Sequence, residues 1–289
     1  MSGLTASPGL DGKRILVTGS SRGIGRAVAV ELARHGASLA LVARSSSALE
    51  EVLADLGGGP HCAIAMDARD EAAWSAAVDE IAPAGRLDAV VTAAAALTPI
   101  GPIGSWSVAD FRATLDLNVT GTLLAIVTCL DALKAAQGSI VTFSGGGATA
   151  PFVRFDAYAA SKVAVVRLTE NLAIDLRGDG IRANSIAPGF VVTPMHNETI
   201  DAGPDVVGAA YYERTKRAID EGGGDSPTFA AELATFLCSD ESRGITGKLL
   251  SARWDPWRDA GFQQRLRDEA DLATLRRIDD QFFTTVPKS

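Results

Sequence analysis

Lys13-Arg-Ile-Leu-Val-Thr18 is a short apolar run that stops at Gly19-Ser-Ser-Arg-Gly23-Ile-Gly25, after which Arg26 to His35 has helical character and closes at Gly36. Strand, glycine turn and helix in this order constrain the fold more than any other stretch of the chain. The glycines let the backbone approach a pyrophosphate, whose charge then sits at the helix N-terminus. With the following apolar run, Ser38-Leu-Ala-Leu-Val-Ala43, the segment reads as a βαβ unit. A helix-capping turn with no ligand is the alternative, and it leaves the close-packed glycines unexplained.

The alternation continues to about residue 250. Ala48 to Leu56 is helix-like, Gly57-Gly-Gly-Pro60 is a break, and His61 to Met66 is a third strand ending at Asp67. Glu71 to Ala82 predicts a helix, Leu87 to Thr92 a strand, Val108 to Ala136 a long helix and Gly138 to Phe143 a fifth strand. Phe155 to Leu176 is free of Gly and Pro and repeats apolar residues at helical spacing, Gly180 to Ala187 is a sixth strand, and Gly247 to Leu250 follows a helix over Pro227 to Leu237. Seven strands alternating with helices predict an α/β fold, a single doubly wound Rossmann-type domain over residues 1-250. Its parallel seven-stranded sheet is covered on both faces, with the ligand at the carboxyl ends of the strands.

Two segments stand apart. Over about 195-225 the pattern loosens around a helical Val206 to Ile219, where a substrate lid would lie, with His196, Tyr211, Tyr212 and Arg214 as candidate contacts or as an ordinary helix surface. Residues 251-289 form a helical C-terminal extension to about Ile278. Its Trp254, Trp257, Phe262, Leu266, Leu272, Leu275, Phe282 and Phe283 carry enough apolar area to dock on the same or a neighbouring subunit. Docking near the substrate opening and packing without functional contact are both open.

The net charge of -8 and a pI near 5.0 argue against a nucleic-acid or anionic-membrane surface and for a small-molecule partner. Cys62, Cys129 and Cys238 are odd in number, far apart and set among apolar residues, as buried thiols in a reducing compartment are. No apolar run has membrane-spanning length, and Met1 to Gly12 lacks the regions of a signal peptide, so a cytoplasmic protein is expected.

On the Phe155 to Leu176 helix, a spacing of four places Tyr158 and Lys162 on one face. A cation beside a phenol favours the phenolate and makes the tyrosine a proton-transfer group near neutral pH; a surface pair is the plainer possibility. Thr18-Gly19-x-x-x-Gly23-x-Gly25 together with Tyr158-x-x-x-Lys162 resembles the short-chain dehydrogenase/reductase family over about Leu10 to Leu250.

That resemblance implies an enzyme that moves a hydride between NAD(H) or NADP(H) and a carbonyl or secondary alcohol, with no metal. Gly19, Ser21, Arg22, Gly23, Ile24 and Gly25 would hold the cofactor's phosphates, Asp67 the adenine, and Ala93 and Ala94 would border the adenosine ribose. Pro188, Gly189, Val191 and Thr193 would lie beside the nicotinamide. Tyr158 would move the proton, Lys162 lower its pKa and hold the nicotinamide ribose, and Asn118 keep a water relay through a local disturbance of its helix. At the end of the second strand Ala43 is followed by Arg44; with Arg22 nearby and no carboxylate, NADP(H) is favoured over NAD(H).

The chain departs from the family at two places. Thr92-Ala93-Ala94-Ala95 stands where Asn-Asn-Ala-Gly is usual, with Thr92 a candidate to replace one lost hydrogen bond. Gly145 stands where the catalytic serine is expected, with Ser144 its neighbour and Thr149 a more distant substitute. An NAD-dependent sugar or polyol dehydrogenase, and a nucleotide-binding protein with weak turnover, are the alternatives. The resemblance further implies a homodimer or homotetramer built on the two long helices.

Overall fold

The computed structural model describes residues 9–277. Most of Met1 to Gly12, the expected helix end at Ile278, and Phe282 and Phe283 therefore lie outside the described residues. The first unit is β1 (Arg14–Thr18), α1 (Gly23–Arg34) and β2 (Ser38–Ala43). Then come α2 (Ser46–Asp55), β3 (Cys62–Ala65), α3 (Glu71–Ile81) and β4 (Ala89–Thr92). The next stretch holds α4 (Val108–Leu115), a π-helical turn (Asp116–Thr120), α5 (Gly121–Thr128), α6 (Leu130–Ala136) and β5 (Ser139–Phe143). After α7 (Asp156–Asp175) and β6 (Arg182–Ala187) run α8 (Met195–Ala202), α9 (Pro204–Val207), α10 (Ala209–Asp220) and α11 (Pro227–Cys238). β7 (Leu249–Ser251) and α12 (Ala260–Asp268) complete the described chain.

The strands form one seven-stranded parallel sheet in the order β3-β2-β1-β4-β5-β6-β7. Period-two side-chain alternation splits each strand between two cores. Ile15, Val17, Leu39, Leu41, Val91 and Val141 face α1 and α11, whereas Leu16, Ala40, Val42, Val90 and Ile140 face the side that holds Trp74 of α3 and Ile126 of α5. Strand order reverses between β1 and β4, so a crevice opens at their carboxyl ends, as doubly wound sheets require.

Several boundaries differ from the sequence expectation for identifiable reasons. α1 starts at Gly23 rather than Arg26, because the last two glycines of the turn form its first helical residues. Ser45 caps α2, its hydroxyl accepting from the Ala48 N–H at 3.3 Å, so that helix begins two residues early. The long helix over 108–136 is three helices: the π turn follows α4, and α6 leaves the α5 direction by a bend of 56°. The loose 195–225 segment contains α8 as well as α10, and Gly208, at φ 89°, interrupts the expected Val206 to Ile219 helix.

The extension also departs from a helix running to Ile278, since α12 ends at Asp268. The buried Lys248 ammonium donates to the carbonyls of Glu269, Ala270 and Leu272 at 2.7, 3.0 and 3.0 Å, and the Leu249 N–H donates to Ala273 O. Satisfying a buried cation takes carbonyls that a continuing helix would have kept. Trp257 and Leu266 lie in the core against α11, so this part of the extension packs on its own chain. Among the described residues no single helix is long and apolar enough to cross a membrane.

Candidate active site

A cavity of about 1160 Å³ occupies the crevice at the carboxyl ends of the strands. Each strand end supplies part of its wall, and almost every residue expected at the site lies there. From the β1 turn come Gly19, Ser21, Arg22, Gly23, Ile24 and Gly25; from β2, Arg44; from β4, Ala93 and Ala94; from β5, Ser144. Tyr158 and Lys162 reach it from α7, and Pro188, Gly189, Val191 and Thr193 from the turn after β6.

The glycine turn is built for close approach. Gly19 has φ 65°, and a Cβ there would stand 2.6 Å from the Ala94 nitrogen. A Cβ on Gly25 would overlap the Gly19 carbonyl. The turn is thus drawn tight against the end of β4 with its α1 N–H groups facing the cavity, which suits a pyrophosphate. The cavity's volume exceeds the usual range for one drug-sized ligand, roughly 300–1,000 Å³, and accommodates a dinucleotide with a further small molecule.

Tyr158 and Lys162 share a face of α7, the Lys162 ammonium lying 5.5 Å from the Tyr158 ring centroid. Lys162 donates to the Phe143 carbonyl at 3.0 Å, and its burial pushes the ammonium down to about 8. The tyrosine departs from expectation: burial, with a smaller contribution from Tyr211, holds its phenol above the ordinary value, so proximity to lysine does not prevail in the bare protein. Its ring packs edge-on against Phe152, centroids 6.3 Å apart.

Gly145 explains where that hydroxyl sits. A Cβ on Gly145 would overlap the Tyr158 oxygen and stand 2.9 Å from Cζ, so the space a serine would take is filled by tyrosine. The neighbouring Ser144 is 3 % exposed and lines the cavity; its N–H is fixed on Ile186 O at 2.8 Å, while its hydroxyl has no hydrogen-bond partner among the described residues. Thr149 also lines the wall, on an exposed stretch.

Asn118 falls in the π turn, where the expected disturbance of helical bonding occurs. Its side-chain amide is engaged within the protein. Oδ1 accepts from Ala96 N–H at 2.8 Å, and Nδ2 donates to Ala96 O at 3.0 Å and Ser161 Oγ at 2.9 Å. It lies outside the cavity wall and ties the loop after β4 to α7. Thr92 does not replace a lost asparagine, since its buried hydroxyl makes no hydrogen bond; the Ala94 N–H instead reaches Thr18 Oγ1 at 3.3 Å.

At the adenosine end the structure changes two expectations. Asp67 lies outside the wall, its carboxylate held by Arg69 through bonds of 3.0 and 2.6 Å and lowered to about 2, first by that side-chain hydrogen bonding. Met66 and Ala68 line the cavity on either side of it. Arg22 and Arg44 make no hydrogen bond or ion pair with described residues, but their charge acts on one carboxyl. Glu198 of α8 is raised by desolvation against the opposing pull of both arginines, and its Oε2 is buried without a partner. No local pattern marks Glu198, because only the docking of α8 brings it there.

The 195-225 segment supplies His196, Tyr211 and Arg214 to the wall but not Tyr212. Phe190 links them: its ring meets His196 at 5.1 Å and Tyr211 at 6.4 Å, and the Arg214 guanidinium lies 4.4 Å from its centroid. Trp254 of the extension, 77 % exposed, also lines the cavity. A hydrogen bond from its backbone N–H to Ser251 Oγ at 3.1 Å fixes the turn it stands on.

Comparison with known proteins agrees with this geometry. The family model described as short chain dehydrogenase matches residues 13–203. A D-threitol dehydrogenase of Mycolicibacterium smegmatis is 36% identical over 242 residues, covering 82% of this chain and 90% of that protein. A glucose 1-dehydrogenase of Gluconobacter oxydans is 32% identical over 248 residues, covering 83% and 90%. Among solved structures, levodione reductase superposes with a TM-score of 0.76 at 29% identity over 86% of this chain and 98% of that one. Such names speak for turnover and against a protein that only binds nucleotide.

Proposed function

Because the chain belongs to the short-chain dehydrogenase family, an oxidoreductase family acting on alcohols and carbonyls with NAD(P), we propose that it is an NADP(H)-dependent enzyme for a small carbonyl compound or secondary alcohol, with Tyr158 as proton donor and acceptor. The observation that carries this reading is the placement of Tyr158 and Lys162 in one cavity with the glycine turn and the Pro188-Gly189 turn.

A bound nicotinamide dinucleotide would supply the hydride chemistry. Gly19, Ser21, Gly23, Ile24 and Gly25 would hold its pyrophosphate, and Arg22 and Arg44 would grip a 2′-phosphate. Ala93 and Ala94 would border the adenosine ribose, while Asp67, committed to Arg69, would contribute less to the adenine than its neighbours Met66 and Ala68. Pro188, Gly189, Val191 and Thr193 would shape the nicotinamide end. Tyr158 exchanges a proton with the substrate oxygen, Ser144 steadies that oxygen, and Lys162 supplies positive charge beside the phenol. Asn118 acts as a positioning residue that sets α7 against the loop after β4.

Replacing Tyr158 with Phe tests this. Turnover of a panel of polyols, sugars and cyclic ketones with NADP(H) is expected to fall by roughly 10²–10⁴-fold, with nucleotide affinity nearly unchanged. Retained turnover would move the proton transfer elsewhere.

A second reading, an NAD-dependent polyol or sugar dehydrogenase, is favoured by Glu198 beside the two arginines and by the printed activities of the D-threitol and glucose enzymes. Exposed Leu123 and Val127 on α5 and Val163 and Ile174 on α7 support assembly through these helices.

A further inference from the structure

In a chain of net charge -8, the cavity wall holds four cations, Arg22, Arg44, Lys162 and Arg214, and no aspartate or glutamate among the described residues. On the proposed reading the cofactor takes three of them. Arg22 and Arg44 flank the glycine turn, and Lys162 stands beside Tyr158. Arg214, contributed by α10, remains.

Its side chain is exposed and rests on one aromatic ring. The guanidinium lies over the Phe190 ring at 4.4 Å, and Phe190 is itself held by its N–H on Asp225 Oδ2 at 2.8 Å. Asp225 is engaged by that N–H and by Arg253 at 3.3 Å. Arg214 makes no hydrogen bond or ion pair with described residues. Stacking leaves the N–H edge of a guanidinium open to a planar or tetrahedral oxyanion.

We propose that the substrate carries an anionic group, a carboxylate or a phosphate, held by Arg214. This rests on the oxidoreductase reading above. The rings of Phe152, Tyr211 and Phe190 run from Tyr158 to Arg214 in contacts of 6.3, 5.2 and 6.4 Å. The anion would thus lie against an aromatic wall that joins Arg214 to Tyr158.

The test uses the NADP-saturated protein, so that Arg22 and Arg44 are occupied. A neutral polyol, the sugar acid of the same length and the corresponding sugar phosphate are titrated calorimetrically, with turnover followed in parallel. One anion is expected to bind at least about tenfold more tightly than the polyol, the scale of a charge-assisted hydrogen-bond pair; which one identifies the group. Arg214→Met is expected to remove that preference and Arg214→Lys to keep part of it, while Arg217→Met, on the same helix outside the cavity, keeps all of it. Equal binding of polyol and both anions overturns the proposal, and so does an Arg214→Met effect confined to nucleotide affinity. Turnover of polyols without anion preference removes the anion site and leaves the oxidoreductase. Arg214-dependent anion binding with no turnover of any compound removes the oxidoreductase reading instead.

Discussion

Gly145 lies against the Tyr158 hydroxyl so closely that no side chain fits between them. The tyrosine fills the space that a side chain at position 145 would take. Gly145→Ser overpacks this corner and is expected to cost about 1–3 kcal/mol, read as a lower urea midpoint, with a lower kcat because the phenol is displaced. An unchanged midpoint with faster turnover would show that the corner accepts a serine and that position 145 can take the oxygen-steadying role.

If Ser144 steadies the substrate oxygen, Ser144→Ala removes one preorganised donor and lowers kcat by roughly 10²-fold. Thr149, on the more exposed part of the wall, gives the contrast. Steady-state kinetics in which Thr149→Ala is the slower variant would transfer the role to the threonine.

On the proposed reading, the choice between NADP and NAD turns on Arg22, Arg44 and Glu198. Arg44→Ala is expected to weaken NADP binding by about tenfold or more while leaving NAD within a few-fold, since a phosphate loses a charge-assisted pair and a ribose hydroxyl does not. Glu198 opposes the arginines, so Glu198→Gln should shift the NADP to NAD affinity ratio the other way. Calorimetric affinities for both nucleotides decide it; a ratio that Glu198→Gln leaves unchanged would mean the carboxyl does not reach the phosphate.

These residues show what the sequence could reveal. The glycine turn, the strand ends and the Tyr158 to Lys162 spacing were legible because each depends on local pattern: glycine where Ala94 crowds the backbone, period two in the strands, and four residues per turn on α7. Arg214 and Trp254 reach the cavity only through the placement of α10 and the turn after β7, and Glu198 feels Arg22 and Arg44 only through that of α8, and no spacing records that. The Asp67 to Arg69 pair lies two residues apart, yet whether a loop carboxylate turns to its neighbour or to a ligand is decided by tertiary geometry. The end of α12 was misplaced because Lys248, about twenty residues earlier, claims its carbonyls.

Lys162 should leave a mark on stability as a function of pH. Its ammonium is lowered by burial from 10.5 to about 8, so between those values the unfolded chain holds a proton that the folded chain has released. Stability then rises with pH across this window, and below pH 8 the folded state bears the full cost of burying the charge. Cys129 and Cys238, pushed up to about 12 by burial, act in the opposite sense above pH 9, and the raised Tyr158 does so above pH 10. The difference between wild type and Lys162→Met cancels the cysteines, and stopping at pH 10 avoids the tyrosine. Measured without nucleotide, which would add its own linkage, wild type should gain roughly 2 kcal/mol on Lys162→Met between pH 8 and 10, from about 1.4 kcal/mol per pH unit. A flat difference would mean that the buried ammonium keeps its ordinary affinity for the proton, and that Lys162 enters the site fully charged at any working pH.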